Sequence, residues 1–294
     1  MRVFVSGGTG FVGEQLCRAL LAEGHQVRLL VHGRSALAET GIEAVQGDVT
    51  EPAGWQGAAA GCDAAINLVG IIREFPARGV TFDRLHVGAT SHMLAEASRS
   101  GIRRYLQMSA QGTRPAAVAD YHRTKFQAEE LVRGSGLDWT IFRPSLIFGA
   151  KDAFVNMLAG YIRSFGAVPV IGDGSYRLQP IAATDVARCF ALALAMPETV
   201  GQTYALCGPD RLTFNEVVDG IGQALGKSSV LKIRNPLGLM KLITPLLQGF
   251  SLFPLTMDQI TMLTEENICD GSWQETFRFQ PVPFAAGIRA YLKP

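Results

Sequence analysis

Tyr121 and Lys125 stand four residues apart at the start of a helix-length stretch, so both side chains leave the same helix face. An ammonium held beside a phenol stabilises the phenolate and pulls its pKa down from about 10, the tuning that proton transfer at a carbonyl requires. A second chemistry-bearing run, Gly7-Gly8-Thr9-Gly10-Phe11-Val12-Gly13, follows an apolar strand and opens a helix at Glu14-Gln15-Leu16. Glycine suits that place: a tight turn and a pyrophosphate resting on backbone N–H groups leave no space for Cβ, and a helix N-terminus favours an anion. The spacing fits two registers, Gly8/Gly10/Gly13 and Gly7/Gly10/Gly13.

A dinucleotide ribose is commonly met by an acidic residue at the end of the second strand. Here that segment reads Val31-His32-Gly33-Arg34-Ser35. A guanidinium there can pair with a 2′-phosphate in a bidentate geometry, so the segment favours NADP(H) over NAD(H), with His32 and Arg34 as contacts. Asp48 and Val49, after the third strand, are placed to meet the adenine, although an Asp in a turn needs no ligand to explain it.

The elements that must position these groups alternate. Short β-branched runs at 3–6, 26–31, 44–46, 64–69, 105–108 and 139–142 are separated by helical stretches at 13–23, 90–100 and 121–134. Strands joined by crossovers imply an α/β chain with a Rossmann-like doubly wound parallel sheet and a smaller C-terminal lobe. Past Arg143-Pro144, Gly/Pro punctuation replaces the alternation, while 183–195 reads as another helix. The expected division is an NAD(P)-binding domain over 1–149, joined again by 178–200, and a substrate or partner lobe over 150–177 and 201–294.

In 294 residues, 27 Lys and Arg face 26 Asp and Glu, and the resulting net charge of +1 excludes the electrostatic footprint of a nucleic-acid binder. Charged residues are 18% of the chain and mean hydropathy is +0.17, which leaves room for a buried interface or a membrane contact. The cysteines at 17, 62, 189, 207 and 269 form no CxxC pair and have no histidines at ligand spacing, so free thiols, a reducing, cytoplasmic compartment and no metal are expected. Met1-Arg2 leads directly into Val3-Phe4-Val5, so no cleavable secretory leader is expected. The longest uncharged run, 242–257, is shorter than a membrane span and is broken by Pro245, Gly249 and Pro254.

Together, the Gly7–Gly13 loop, the Tyr121/Lys125 pair, Arg143-Pro144-Ser145-Leu146-Ile147-Phe148-Gly149, Gly172-Asp173-Gly174 and Asp185-Val186-Ala187 resemble the extended short-chain dehydrogenase/reductase family. Pro254-Leu255-Thr256-Met257-Asp258-Gln259, Leu263-Thr264-Glu265-Glu266-Asn267 and Pro283-Phe284 further resemble its atypical branch, which includes the 39-kDa-type accessory subunit of respiratory complex I. The resemblance implies that Tyr121 acts as acid and base with Lys125 as its partner. It implies that Asn67, Val69 and Gly70 lie near the ribose, that Pro144 lies near the nicotinamide and that Ile147 is a cofactor contact. The family completes its catalytic set with a Ser and an Asn. Ser109 takes the first position of the family's Ser-Ser pair and Ala110 the second, while His86 stands where the Asn is usual.

Two functions stay open on this reading. One is an NAD(P)H-dependent oxidoreductase or nucleoside-diphosphate-sugar epimerase-like enzyme acting on a small molecule. The loop between Ser109 and Tyr121 is short and poor in sugar-binding groups, which suits an apolar or quinone-like substrate as well as a nucleotide sugar. The other is an NADPH-binding structural or assembly protein beside a respiratory or quinone-processing membrane complex. The apolar stretch 236–253, with the basic residues Lys227, Lys232, Arg234 and Lys241, is either core or a membrane-peripheral face. Arg73, Glu74 and Arg78 read as a solvated loop or a substrate contact, and Arg177 as a phosphate contact or a surface ion pair.

Overall fold

In the computed structural model, which describes residues 1–33, 40–247 and 256–293, every strand and helix expected before Pro144 forms. They are β1 (Arg2–Ser6), α1 (Phe11–Ala22), β2 (Gln26–Val31), β3 (Ile42–Gln46), β4 (Ala64–Asn67), α2 (Ala89–Arg99), β5 (Arg104–Met108), α3 (Asp120–Arg133) and β6 (Asp138–Pro144). The chain continues through β7 (Ile147–Phe148), α4 (Ala153–Phe165), β8 (Ala167–Ile171), β9 (Arg177–Leu178) and β10 (Ile181–Ala182). After α5 (Ala183–Ala193) and β11 (Gln202–Leu206) come β12 (Leu212–Thr213), α6 (Phe214–Ala224), β13 (Leu231–Asn235) and α7 (Leu237–Leu247). Three short helices follow, α8 (Met257–Thr264), α9 (Trp273–Phe277) and α10 (Phe284–Arg289).

Two compact units result, one of residues 1–144 and 183–205, the other of 145–182 and 206–294. The first unit is built on a seven-stranded sheet in the order β11-β6-β5-β4-β1-β2-β3. All five strand pairings from β3 to β6 are parallel. Strands such as Val3–Val5 and Ala64–Ile66 are buried throughout, as the apolar runs of a sheet covered on both faces must be. One core layer gathers Phe4, Ala65, Met93, Tyr105 and Ile141, while α1 packs against α5. The order reverses between β1 and β4, so their carboxyl ends form the switch point where open sheets bind ligands. β4 stops at Asn67 rather than at Val69 because the Asn67 side chain, not a neighbouring strand, takes the Val69 N–H at 3.1 Å.

The second unit packs α4, α6 and α10 around Phe148, Val155, Val168, Phe214 and Ile288. Asp152 caps α4 by accepting from the Val155 N–H at 2.6 Å, and Thr213 with Glu216 closes a capping box on α6. Cysteine usage departs from expectation here. Cys207 and Cys269 form a disulfide across 62 residues, and Cys17, Cys62 and Cys189 are buried thiols. Their separation hides the pair in the sequence. The Gln179 amide aligns both segments, accepting from the Cys269 N–H at 3.0 Å and donating to the Gly208 carbonyl at 2.8 Å.

A cross-link closing a loop of that length restricts the unfolded chain. The Cys207→Ser/Cys269→Ser protein is therefore expected to lose about 2–4 kcal/mol in urea denaturation under oxidising conditions. An unchanged midpoint would show that the bond constrains nothing. Among the described residues, no helix is long and apolar enough to cross a membrane.

Candidate functional site

β1 ends at Ser6 and hands the chain to the glycine loop, and each glycine has its own constraint. Gly7 has φ +75°, and a Cβ there would lie 3.0 Å from the Leu68 and Val69 backbone. A Cβ on Gly8 would strike Leu29 of β2, and one on Gly13 would lie 2.3 Å from the Gly7 carbonyl. Both sequence registers therefore describe one turn. Gly10, in extended conformation, precedes α1 without a side-chain cap, so the first N–H groups of the helix face outward as an anion-binding turn requires. Thr9, Gly10 and Phe11 form its accessible tip, while Val12 and Gly13 are buried. These features fit a pyrophosphate.

Beneath the loop lies a buried polar network. Ser6 Oγ donates to Asn67 Oδ1 at 2.8 Å, and Asn67 Nδ2 donates to Thr90 Oγ1 and to Gln107 Oε1, both at 3.1 Å. Asn67 is fully buried, so its amide is spent on shaping the turn Leu68–Gly70. Lys125 Nζ approaches that turn from α3, donating to the Val69 carbonyl at 3.2 Å and to the Met108 carbonyl at 3.3 Å. A Cβ on Gly70 would lie 2.7 Å from the Nζ atom, so a side chain there would push the lysine from its present seat.

Tyr121 stands one turn before Lys125, its ring edge-on to Phe82, His86 and His122 with centroids 5.8, 5.3 and 5.3 Å away. Burial pushes its phenol up to about 12, opposite to the direction expected from the neighbouring ammonium. The group is thus a proton donor at neutral pH. Burial also lowers Lys125 to about 8, against the opposing charge of Glu129 one turn further along α3. Glu129 itself is fully buried and takes a two-pronged contact from Arg143 of β6 at 2.6 and 2.7 Å, with Arg133 adding another at 2.7 Å. The sequence reading missed this ion cluster, which locks α3 onto β6.

The buried amine has a stability consequence. Its folded pKa lies below the ordinary lysine value, so between about pH 8 and 10.5 the unfolded chain binds more protons and stability rises with pH. Below that window the full cost of burying the charge is present. Relative to Lys125→Met, the wild-type protein is expected to gain about 2–3 kcal/mol between pH 8 and 10.5 in urea titrations. Parallel curves for the two proteins would exclude a buried, depressed amine.

The remaining expected residues fall as follows. Ser109 is buried, its N–H bound to the Phe142 carbonyl at 2.7 Å and its Oγ 3.4 Å from Thr113 Oγ1. Pro144 ends β6 and accepts from the Gln111 N–H at 2.9 Å. Ile147 belongs to the second unit, on β7. His32, 79% exposed, lies 3.4 Å from Asp48. Partial burial works against the Asp48 carboxylate, but the Thr50 N–H and hydroxyl hold it below its usual range, with His32 and Arg84 adding to the effect. Val49 is buried and Arg34 lies outside the described residues.

Two secondary candidates resolve differently. The loop carrying Arg73, Glu74 and Arg78 is folded: Phe75 and Val80 bridge in antiparallel fashion, Glu74 Oε1 accepts from the Phe82 N–H at 2.7 Å, and the Arg73 guanidinium sits 5.5 Å from the Phe75 ring centre. Arg177 makes an exposed ion pair with Glu266 at 2.7 Å.

Residues 7–159 match the NAD(P)H-binding family. The chain is 30% identical over 225 residues to the Arabidopsis thaliana protein named NADH dehydrogenase [ubiquinone] 1 alpha subcomplex subunit 9, mitochondrial, a match covering 73% of this chain and 56% of that one. It thus spans little more than half of that relative. It is 26% identical over 242 residues to the ceramide reductase of Caulobacter vibrioides, covering 80% of this chain and 74% of that one. The UDP-glucose 4-epimerase of Thermotoga maritima superposes with a TM-score of 0.78 at 15% identity over 99% of this chain and 98% of that one. That structure shares the fold, a Rossmann-like parallel sheet with flanking helices.

Proposed function

The chain belongs to the NAD(P)H-binding family, and from that premise we propose that it is an NAD(P)H-dependent oxidoreductase using Tyr121 as proton donor and Lys125 as its electrostatic partner. One observation carries the reading. The nucleotide loop and the Tyr121/Lys125 helix meet the same short backbone turn, Gly7 packing on Leu68 and Val69 while Lys125 Nζ binds the Val69 carbonyl. A dinucleotide on the Gly7–Gly13 loop, with Val69 and Gly70 beside it, supplies a hydride when bound. Tyr121 then gives its phenolic proton to the oxygen of the reacting carbonyl, and Lys125 holds positive charge next to the forming phenolate. Ser109, within the loop joining β5 to α3, is assigned to orient that carbonyl.

An apolar carbonyl compound is the favoured substrate. Ile72, Phe75 and Val118 are 52%, 41% and 70% exposed on loops that leave the carboxyl ends of the adjacent strands β4 and β5. The relative named a ceramide reductase carries a lipid in its name. NADP(H) is preferred over NAD(H) because Arg34, and no acidic residue, follows β2.

A second reading, a dinucleotide-holding assembly protein at a membrane complex, is favoured by the respiratory-complex name of the Arabidopsis relative and by α7. On that helix Leu239 and Leu242 are 49% and 71% exposed while Thr244 is buried, and no acidic residue occurs between Asp219 and Asp258. The rest of the expected 236–253 face, from residue 248 onward, lies outside the described residues.

The deciding experiment is to purify the protein without added nucleotide, denature it, identify the released dinucleotide by mass and follow exchange with labelled NADPH. Rapid exchange and oxidation by apolar carbonyl compounds support the oxidoreductase. Stoichiometric nucleotide that neither exchanges nor reacts supports the assembly protein, and released NAD⁺ would overturn the assignment of Arg34.

A further inference from the structure

His86 occupies a π-helical turn, Asp83–Gly88, that runs directly into α2, and it is 1% exposed. π-Helical turns are rare and concentrate at functional sites. Its ring stacks on Phe82 at 5.2 Å and stands edge-on to Tyr121. Nδ1 lies 2.8 Å from Thr124 Oγ1, and the Thr124 hydroxyl in turn points at the Asp120 carbonyl at 2.9 Å and the Tyr121 carbonyl at 3.1 Å. A hydroxyl has one proton, and a threonine inside a helix often gives it to the carbonyl four residues back. On that arrangement the proton in the His86–Thr124 bond comes from Nδ1 and Nε2 of the neutral ring accepts from the Ile71 N–H at 3.3 Å, whereas the other neutral form would donate from Nε2 to the Ile71 carbonyl at 3.2 Å.

We infer that His86, in its Nδ1–H form, is the positioning residue that joins the first turn of α3 to the backbone of Ile71 and thereby fixes the Val69 carbonyl on which Lys125 rests. The turn 69–71 is held at both ends: Val69 N–H by Asn67, the Val69 carbonyl by Lys125 and Ile71 N–H by His86. Removing the imidazole frees the Ile71 end, two residues from the lysine's seat. Protonation would place a hydrogen on Nε2 and exchange the Ile71 N–H contact for the Ile71 carbonyl at 3.2 Å. Burial and the charge of Lys125, the ammonium facing this ring, hold His86 down to about 2, so the neutral form persists. The role rests on Tyr121 and Lys125 being the reactive pair.

Long-range ¹H–¹⁵N NMR of the wild-type protein reads the tautomer directly. The expected result is a protonated Nδ1 and an acceptor Nε2 whose shifts stay fixed from pH 5 to 8. His86→Phe keeps the ring contacts and removes both hydrogen bonds, and it is expected to raise the NADPH Kd about tenfold. His86→Gln, which can reach one partner with its oxygen and the other with its nitrogen, is expected to return Kd to within about threefold of wild type. An Nε2–H tautomer, a ring titrating between pH 5 and 8, or a His86→Phe protein with wild-type NADPH affinity would overturn the inference. Full turnover in Tyr121→Phe would instead remove the reaction proposed for the pair, while the tautomer and affinity results would still establish His86 as the brace of the turn.

Discussion

Gly13→Ala is expected to raise the NADPH Kd at least about 100-fold and to lower the melting temperature by about 5–10 °C. The new methyl would lie 2.3 Å from the Gly7 carbonyl, 2.5 Å from the Gly8 Cα and 2.6 Å from the Gly8 carbonyl carbon, all backbone atoms. Neither glycine has a free direction of retreat. Gly7 sits at positive φ against Leu68 and Val69, and Gly8 is seated on Leu29. Relief must come from lifting the loop off α1, which turns away the N–H groups that would hold the pyrophosphate. Gly10→Ala supplies the control. Its Cβ would meet only the Gly7 carbonyl, at 3.2 Å, and its extended backbone suits alanine, so its effect on stability is expected to stay within about 1 kcal/mol. Isothermal titration and calorimetric melting of both variants separate steric exclusion from loss of flexibility. Equal effects at the two positions would count against a loop fitted to a ligand.

Features governed by local sterics could be read from the sequence. The glycine loop needs only the absence of Cβ, and Tyr121 with Lys125 needs only helix periodicity, so both were visible as spacing. Features joining distant segments were not visible. Lys125 meets Val69 across 56 residues, His86 meets Thr124 across 38, and Cys207 meets Cys269 across 62. Asn67 shows the same limit from another side. Its position was evident, but its amide is engaged by Ser6, Val69, Thr90 and Gln107 in a network that only strand register creates. The direction of the Tyr121 shift was likewise hidden, because charge proximity is suggested by spacing whereas burial depends on Phe82, His86 and His122 closing around the ring. The seventh strand, β11, went unread inside a segment whose glycines and prolines suggested the smaller lobe.

Tyr121→Phe is expected to lower kcat by about 10²–10⁴-fold on a carbonyl substrate while leaving the NADPH Kd within about threefold of wild type. The substitution removes one oxygen and keeps the ring that packs edge-on against Phe82, His86 and His122, so folding and the neighbouring turn are preserved. What the proposed reaction loses is the proton for the carbonyl oxygen. Because burial holds the phenol near 12, Tyr121 stays protonated through the neutral range and its own ionisation contributes no slope to the rate there. The slope must come from Lys125. In the proposed reaction its ammonium stabilises the phenolate left after proton transfer, and that charge disappears as pH rises through about 8. The wild-type kcat profile is therefore expected to fall above about pH 8, and Lys125→Met to be slow and flat across the same range. Lys125→Met also gives up the contacts to Val69 and Met108, so it weakens NADPH binding as well as turnover, which separates it from Tyr121→Phe. A Tyr121→Phe enzyme with undiminished kcat would leave the buried phenol as packing and shift the weight to the dinucleotide-holding role.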